Sequence, residues 1–289
     1  MKASEIPSLD EYWRLLESHL RPFSREEQAV AVALYRELAK GKPVDADQLG
    51  RALGVTSDES RALLERDAIK SLVYPDGEGR VLGFGGLTAA PMHHRFEVGG
   101  RILWTWCAWD SLFIPEILGR EARVTSPDPE NREIVRLVVT PDRVDSIVPS
   151  DAVVSFVRPE SQAFDSSAAN VMASFCHFIF FFSSRQSGER WVAKHPATFL
   201  YSLDDASALA KRFNARNFGP ELARRVSSRA PTKRDFPYAP MPRRCLCDRE
   251  GLINSSDLRK AAAPMRVGRI PANLSATERD LLQLLVVTV

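Results

Sequence analysis

An abrupt change of period between Arg101 and Gly119 constrains the fold more than any other stretch of the chain. Ile102, Trp104 and Trp106 alternate with Arg101, Leu103 and Thr105, which is the two-residue period of a strand. From about Asp110 the apolar residues Leu112, Phe113 and Ile117 recur with helical spacing, up to a stop signal at Gly119 and in spite of Pro115. Cys107 therefore stands near a strand-to-helix junction, where unpaired backbone N–H groups would favour its thiolate form. Asp110 follows three residues later, on the same helical face and within reach of the sulfur. A carboxyl group so placed can take the thiol proton and later hand it to a leaving group, which is general acid–base chemistry.

A second cysteine, Cys176, lies in the apolar run Ser174-Phe-Cys-His-Phe-Ile-Phe-Phe-Phe182. Thiolate is the soft side-chain ligand and selects soft, thiophilic metals. Either cysteine alone reads more readily as a small buried hydrophobe than as a ligand, and spacing does not bring the two sulfurs together. Trp104, Trp106, Trp109 and Phe175 are the residues expected to shape an apolar pocket, with ordinary core packing as the plainer reading.

The N-terminal part suggests a different class of function. Helical period covers Ser8–Leu20. A second helix starts at Ser24, with Glu27 completing a capping box, and ends near Gly41. Further helices are expected over Ala46–Ala52 and Ser57–Ser71, then a hairpin over Val73–Phe84 with its turn at Asp76-Gly77. Helices followed by a hairpin make a winged helix, so a metal-responsive transcription regulator is the rival reading. Its recognition helix would be Ser57–Lys70, where Asp58, Glu59, Glu65 and Asp67 outnumber Arg61, Arg66 and Lys70. Phosphate neutralisation dominates DNA affinity, so nucleic acid is not the expected partner.

Composition fits two modest domains and a tail: 289 residues, 44% hydrophobic, net charge +2. The N-terminus lacks a signal peptide's apolar core, and the run at Phe178–Phe182 is far too short to cross a bilayer. Four cysteines make no disulfide framework, and reactive thiols suit a reducing cytoplasm. Strands are expected over Ile134–Thr140, Ala152–Val157 and Val171–Phe182, and a helix over Asp204–Asn217. The expected class is α+β. Residues 1–90 would form a helical, winged-helix-like domain, and residues 91–225 a small mixed or antiparallel sheet domain with flanking helices. Residues 226–289 would form a basic, proline-containing C-terminal extension.

The segment from Phe96 through Trp104-Thr-Trp-Cys-Ala-Trp-Asp110 to Gly119, followed by Arg120-Glu-Ala-Arg-Val124, resembles the organomercurial (alkylmercury) lyases. The block around Cys176 resembles their second cysteine block. Trp191-Val-Ala-Lys-His-Pro196 and Phe213-Asn214 also fit, so the likeness spans roughly residues 24 to 225. The resemblance implies that Cys107, Asp110 and Cys176 cleave carbon–mercury bonds by protonolysis. Hydrocarbon would leave, and Hg(II) would stay on both sulfurs and the carboxylate. It implies no organic cofactor, with low-molecular-weight thiols or a mercuric-ion-reducing partner accepting the product. A lyase-like binder of thiophilic metals with changed chemistry is the further alternative.

The chain departs from the family pattern in three places. His177 stands where many members carry another cysteine; strand alternation would turn it away from Cys176. Thr125, Ser126, Pro127 and Asp128 occupy a stretch where a further cysteine is common. The third departure is the basic tail, which holds Arg243-Arg-Cys-Leu-Cys-Asp248. Its Cys245 and Cys247 form a candidate secondary soft-metal pair able to relay Hg(II), without the second ligand pair a structural zinc needs. A short helix is expected over Ser275–Leu285.

Overall fold

A computed structural model of the chain describes residues 6–158 and 167–228. Four capped helices come first: α1 (Leu9–His19), α2 (Arg25–Leu38), α3 (Ala46–Leu53) and α4 (Ser57–Leu64). The caps Ser8, Ser24, Asp45 and Thr56 each accept the N–H three residues on. The Glu or Gln at that position returns a bond to the cap's own N–H. Each box satisfies two donors that a helix start otherwise leaves free.

The helix expected over Ser57–Ser71 is broken. It stops at Leu64 and restarts as the single turn α5 (Asp67–Lys70), with Arg66 extended at ψ 134° between them. Past the break, Ala68 and Ile69 are buried in the core. The hairpin that follows pairs β1 (Val73–Pro75) with β2 (Val81–Phe84). Its tip is wider than the expected Asp76-Gly77 turn. The Asp76 carboxylate accepts the Glu78 and Arg80 amides, and Gly79, at φ +76°, supplies the left-handed residue.

That hairpin begins a longer sheet. β3 (Leu87–Thr88), β4 (His94–Val98), β5 (Arg101–Thr105), β6 (Ala122–Pro127), β7 (Ile134–Val139) and β8 (Val144–Val148) complete eight strands, with α6 (Asp110–Leu118) between β5 and β6. The order is β1-β2-β3-β5-β4-β6-β7-β8, and every neighbouring pair is antiparallel. A smaller antiparallel sheet sets β9 (Val153–Val157) between β10 (Phe181–Phe182) and β11 (Thr198–Ser202). α7 (Ala168–Ser174), α8 (Arg185–Lys194) and α9 (Leu203–Ser228) complete the described elements, and the class is α+β. No helix among the described residues is long and apolar enough to cross a membrane.

The stretch Val171–Phe182 is not the expected strand. Ser167 caps α7 by accepting the Asn170 N–H, and alanine-rich Ala168–Ser174 favours helix. A 3-10 turn, Cys176–Phe178, follows, and only Phe181–Phe182 pairs as strand. The helix expected to end at Asn217 instead continues to Ser228.

The small sheet is sealed by α1. Tyr12 meets Phe156, Phe199 and Tyr201 edge-on, at centroid distances of 5.5, 5.1 and 5.8 Å, and its hydroxyl donates to the Val157 carbonyl at 2.8 Å. Tyr12→Phe keeps the packing but strands that carbonyl, so denaturant unfolding should show a loss of about 1–3 kcal/mol.

Candidate active site

Backbone hydrogen bonds bring the two cysteine segments together. β5 ends at Thr105, whose hydroxyl donates to the Cys107 carbonyl at 2.9 Å. The next residue, Ala108, donates its N–H to the Ile179 carbonyl at 3.1 Å, and the Ile179 N–H donates to the Cys176 carbonyl, also at 3.1 Å. One residue, Ile179, thus clips the Cys176 turn to the residue beside Cys107 through its N–H and its carbonyl. Further anchors hold the same loop. Ser155 Oγ donates to Phe178 O at 2.7 Å and accepts the Phe180 N–H at 3.0 Å. Asp128, in the stretch where the family resemblance would place a further cysteine, accepts the Ser183 N–H at 2.8 Å and so serves the scaffold. His94, buried on β4, meets Ser126 Oγ through Nδ1 at 2.9 Å and also contacts the Ile179 backbone.

Cys107, Asp110 and Cys176 converge. Both thiols are free and buried, and the sulfurs and a carboxylate oxygen all lie within 4.8 Å of one another. Asp110 opens α6, and its Oδ2 accepts the Cys107 N–H at 2.8 Å. His177 is exposed at the side of the 3-10 turn, so its separation from Cys176 arises from turn geometry rather than strand alternation.

Burial governs the protonation of the three groups. It drives the Cys107 thiol well above its ordinary pKa, helped by its bond with Cys176 and by the Asp110 charge. The thiolate-favouring junction expected from sequence is therefore not what the site provides, because burial outweighs the lowering effect of the Asp110 backbone contact. For Cys176, the hydrogen bond with Cys107 lowers the pKa, but burial and the Asp110 charge outweigh it and the thiol ends raised. Burial lifts Asp110 to about 7 against the lowering effect of its bonds with Cys107. The resting site thus holds two protonated soft ligands and a carboxyl group balanced near neutrality.

A cavity of about 490 Å³ reaches this cluster. Asp110 and Cys176 line it, as do Trp106, Trp109 and Phe175, while Cys107 is fully buried and Trp104 is not in the wall. The N-terminal half contributes Leu20, Phe23 and Tyr35 to the same wall. Sequence reasoning passed over Tyr35, Gly85, Gly86 and His94. The Gly85-Gly86 pair was the available signal, since both residues adopt positive φ (+49° and +100°). The secondary pair Cys245 and Cys247, the helix expected at Ser275–Leu285 and nearly all of the basic extension lie outside the described residues.

Residues 87–214 match the MerB family, described as alkylmercury lyase. An alkylmercury lyase from Staphylococcus epidermidis is 38% identical over 183 residues, covering 63% of this chain and 80% of the relative. One from Streptomyces lividans is 39% identical over 178 residues, covering 62% and 78%. Among solved structures, the mercury-bound form of MerB2 superposes with a TM-score of 0.57 at 19% identity, covering 71% of this chain and 96% of that one. At that identity the structural likeness speaks for the fold.

The raised pKa of Asp110 has a consequence for stability. The folded chain keeps this proton up to about pH 7, whereas the unfolded chain releases it near 3.8. Between those values the folded state binds more protons, so this contribution to stability is lost as pH rises through the window. Asp110→Asn removes the charge and can still accept the Cys107 N–H. It should exceed the parent's stability above pH 7 by up to about 4 kcal/mol, with the gap closing toward pH 4. Denaturant titrations at both ends of the range measure this, and a gap independent of pH would contradict it.

Proposed function

This chain belongs to the alkylmercury lyase family, and we propose that Cys107, Asp110 and Cys176 perform its reaction, the protonolysis of a carbon–mercury bond. The convergence of two buried thiols and one carboxyl group on a single cavity is the observation that carries the assignment of residues. Cys176 lines the cavity, so it meets the mercury of R–Hg⁺ first and exchanges its proton for a sulfur–mercury bond. Cys107, behind it, joins second and gives its proton to Asp110. Two sulfurs on mercury push electron density toward the carbon, which is the soft-ligand effect expected of thiolate. Asp110 then delivers the proton to that carbon, and the carbon keeps the electron pair of the breaking bond.

The balance is R–Hg⁺ plus two thiols giving R–H, a bis-thiolate Hg(II) and one released proton. No electron changes hands and no organic cofactor enters. A carboxyl group with a pKa of about 7 suits both halves of the proton transfer near neutral pH. The product Hg(II) rests on both sulfurs and the carboxylate until low-molecular-weight thiols, or a mercuric-ion-reducing partner, remove it. That exchange places the protein in a thiol-rich cytoplasm.

We read residues 1–90 as a winged-helix-like unit serving the cavity, residues 91–225 as the catalytic unit and residues 226–289 as an extension. The cavity residues Leu20, Phe23 and Tyr35 support this use of the N-terminal helices. The acidic balance of Ser57–Lys70 argues against DNA, and fold alone does not set function. Cys245 and Cys247 are kept as a candidate relay for Hg(II).

Anaerobic incubation with methylmercury and excess small thiol, following methane and released Hg(II), tests the assignment. Cys107→Ser, Asp110→Ala and Cys176→Ser should each lower turnover by at least about 100-fold, because groups acting as one unit fail together. Near-parental methane release from any one of them would remove that residue from the reaction.

A further inference from the structure

We propose that Tyr35, on α2, is a positioning residue for the protonolysis step, holding the Gly85-Gly86 turn that backs the Asp110 carboxyl group. The inference rests on the reaction assigned above and adds a residue from the N-terminal helices to it. Tyr35 is 2% exposed, and its hydroxyl donates to the Gly85 carbonyl at 2.6 Å. Its ring is held by Phe84 and Phe218 edge-on, at centroid distances of 5.3 and 6.1 Å. Tyr35 and Asp110 line the same cavity.

The two glycines are pressed from both sides. A Cβ on Gly85 would stand 2.5 Å from the Tyr35 hydroxyl oxygen, and a Cβ on Gly86 would stand 2.5 Å from Asp110 Cγ. Both adopt positive φ, the region where glycine carries no steric cost. Around them, the Gly85 N–H donates to Leu72 O at 3.1 Å, and Gly86 O accepts the Trp106 N–H at 2.8 Å. Tyr35 thus bears on one face of the turn, and the carboxyl group bears on the next residue. A shift of this turn moves the surface against which Asp110 is seated. Cys176, which meets mercury first in the proposed reaction, is held from another side through the Ile179 N–H, and the turn reaches the Cys107 segment only through its bond to Trp106 and the pairing of Leu87 with Thr105.

The consequence is a separation of steps. Mercury capture depends on the sulfurs, whereas proton delivery depends on where Asp110 points. Tyr35→Phe keeps the ring and deletes the hydroxyl. In single turnover with methylmercury it should slow hydrocarbon release about 10-fold, since small misplacements of a reacting group are costly. The methylmercury concentration for half-saturation and the stoichiometry of captured mercury should stay at parental values. Gly85→Ala, which displaces the hydroxyl from the opposite side, should give the same split.

Release at the parental rate in Tyr35→Phe overturns the proposal. So does slowed release with an equal loss of mercury capture in both variants, the signature of a loosened fold. If Tyr35→Phe does not fold, Gly85→Ala alone decides by the same two readouts. Absence of hydrocarbon from the parent itself would instead defeat the reaction assignment, so the two failures are distinguishable.

Discussion

The backbone of Ile179 holds together two parts of the chain that are distant in sequence, and the proposed chemistry depends on that link. Its carbonyl accepts the N–H of the residue after Cys107, and its N–H donates to the carbonyl of Cys176. The two thiols hydrogen-bond to each other, but backbone contacts bring the two cysteines to that position. Their spacing is inherited from backbone pairing, reinforced by Ser155, Asp128 and His94 around the same loop. Buried backbone groups are costly to leave unpaired, so this network fixes the loop firmly. A soft dithiol site therefore exists before any metal arrives.

The same burial makes the site unfavourable for the apo protein. Two thiols are kept protonated and a carboxyl group is lifted to about 7, although the backbone N–H and the thiol of Cys107 both hydrogen-bond to it. Ionising Asp110 in such surroundings is disfavoured, which is why its removal is expected to stabilise the fold. Function and stability pull in opposite directions here, as is common at catalytic centres. In the proposed reaction mercury reverses the balance by displacing both thiol protons, one of which is the proton that the carbon needs.

Much of this was readable in the residues. The strand-to-helix switch at Cys107, the three-residue step to Asp110 and the capping box at Ser24 all depend on local spacing, and local rules described them well. The Cys176 segment was misread because its phenylalanine run dominates the hydrophobic pattern, while the helix signal lies upstream in Ser167 and the alanines. Tyr35 and His94 were invisible for another reason. Each acts through a partner far away in sequence, Gly85 for one and Ser126 for the other, and no period along the chain records such a contact. The effect of burial on the thiols was missed likewise, since a helix start suggests a low pKa and spacing along the chain does not record how deeply a sulfur is buried.

The central claim is that a proton from this buried cluster replaces mercury on carbon while both sulfurs take the metal. Single turnover of stoichiometric methylmercury in D₂O addresses it directly, with the gas analysed by mass and the protein-bound mercury by X-ray absorption. The account predicts methane carrying one deuterium and Hg(II) coordinated by two sulfurs. Intact methylmercury retained on the thiols, with no methane formed, would contradict it.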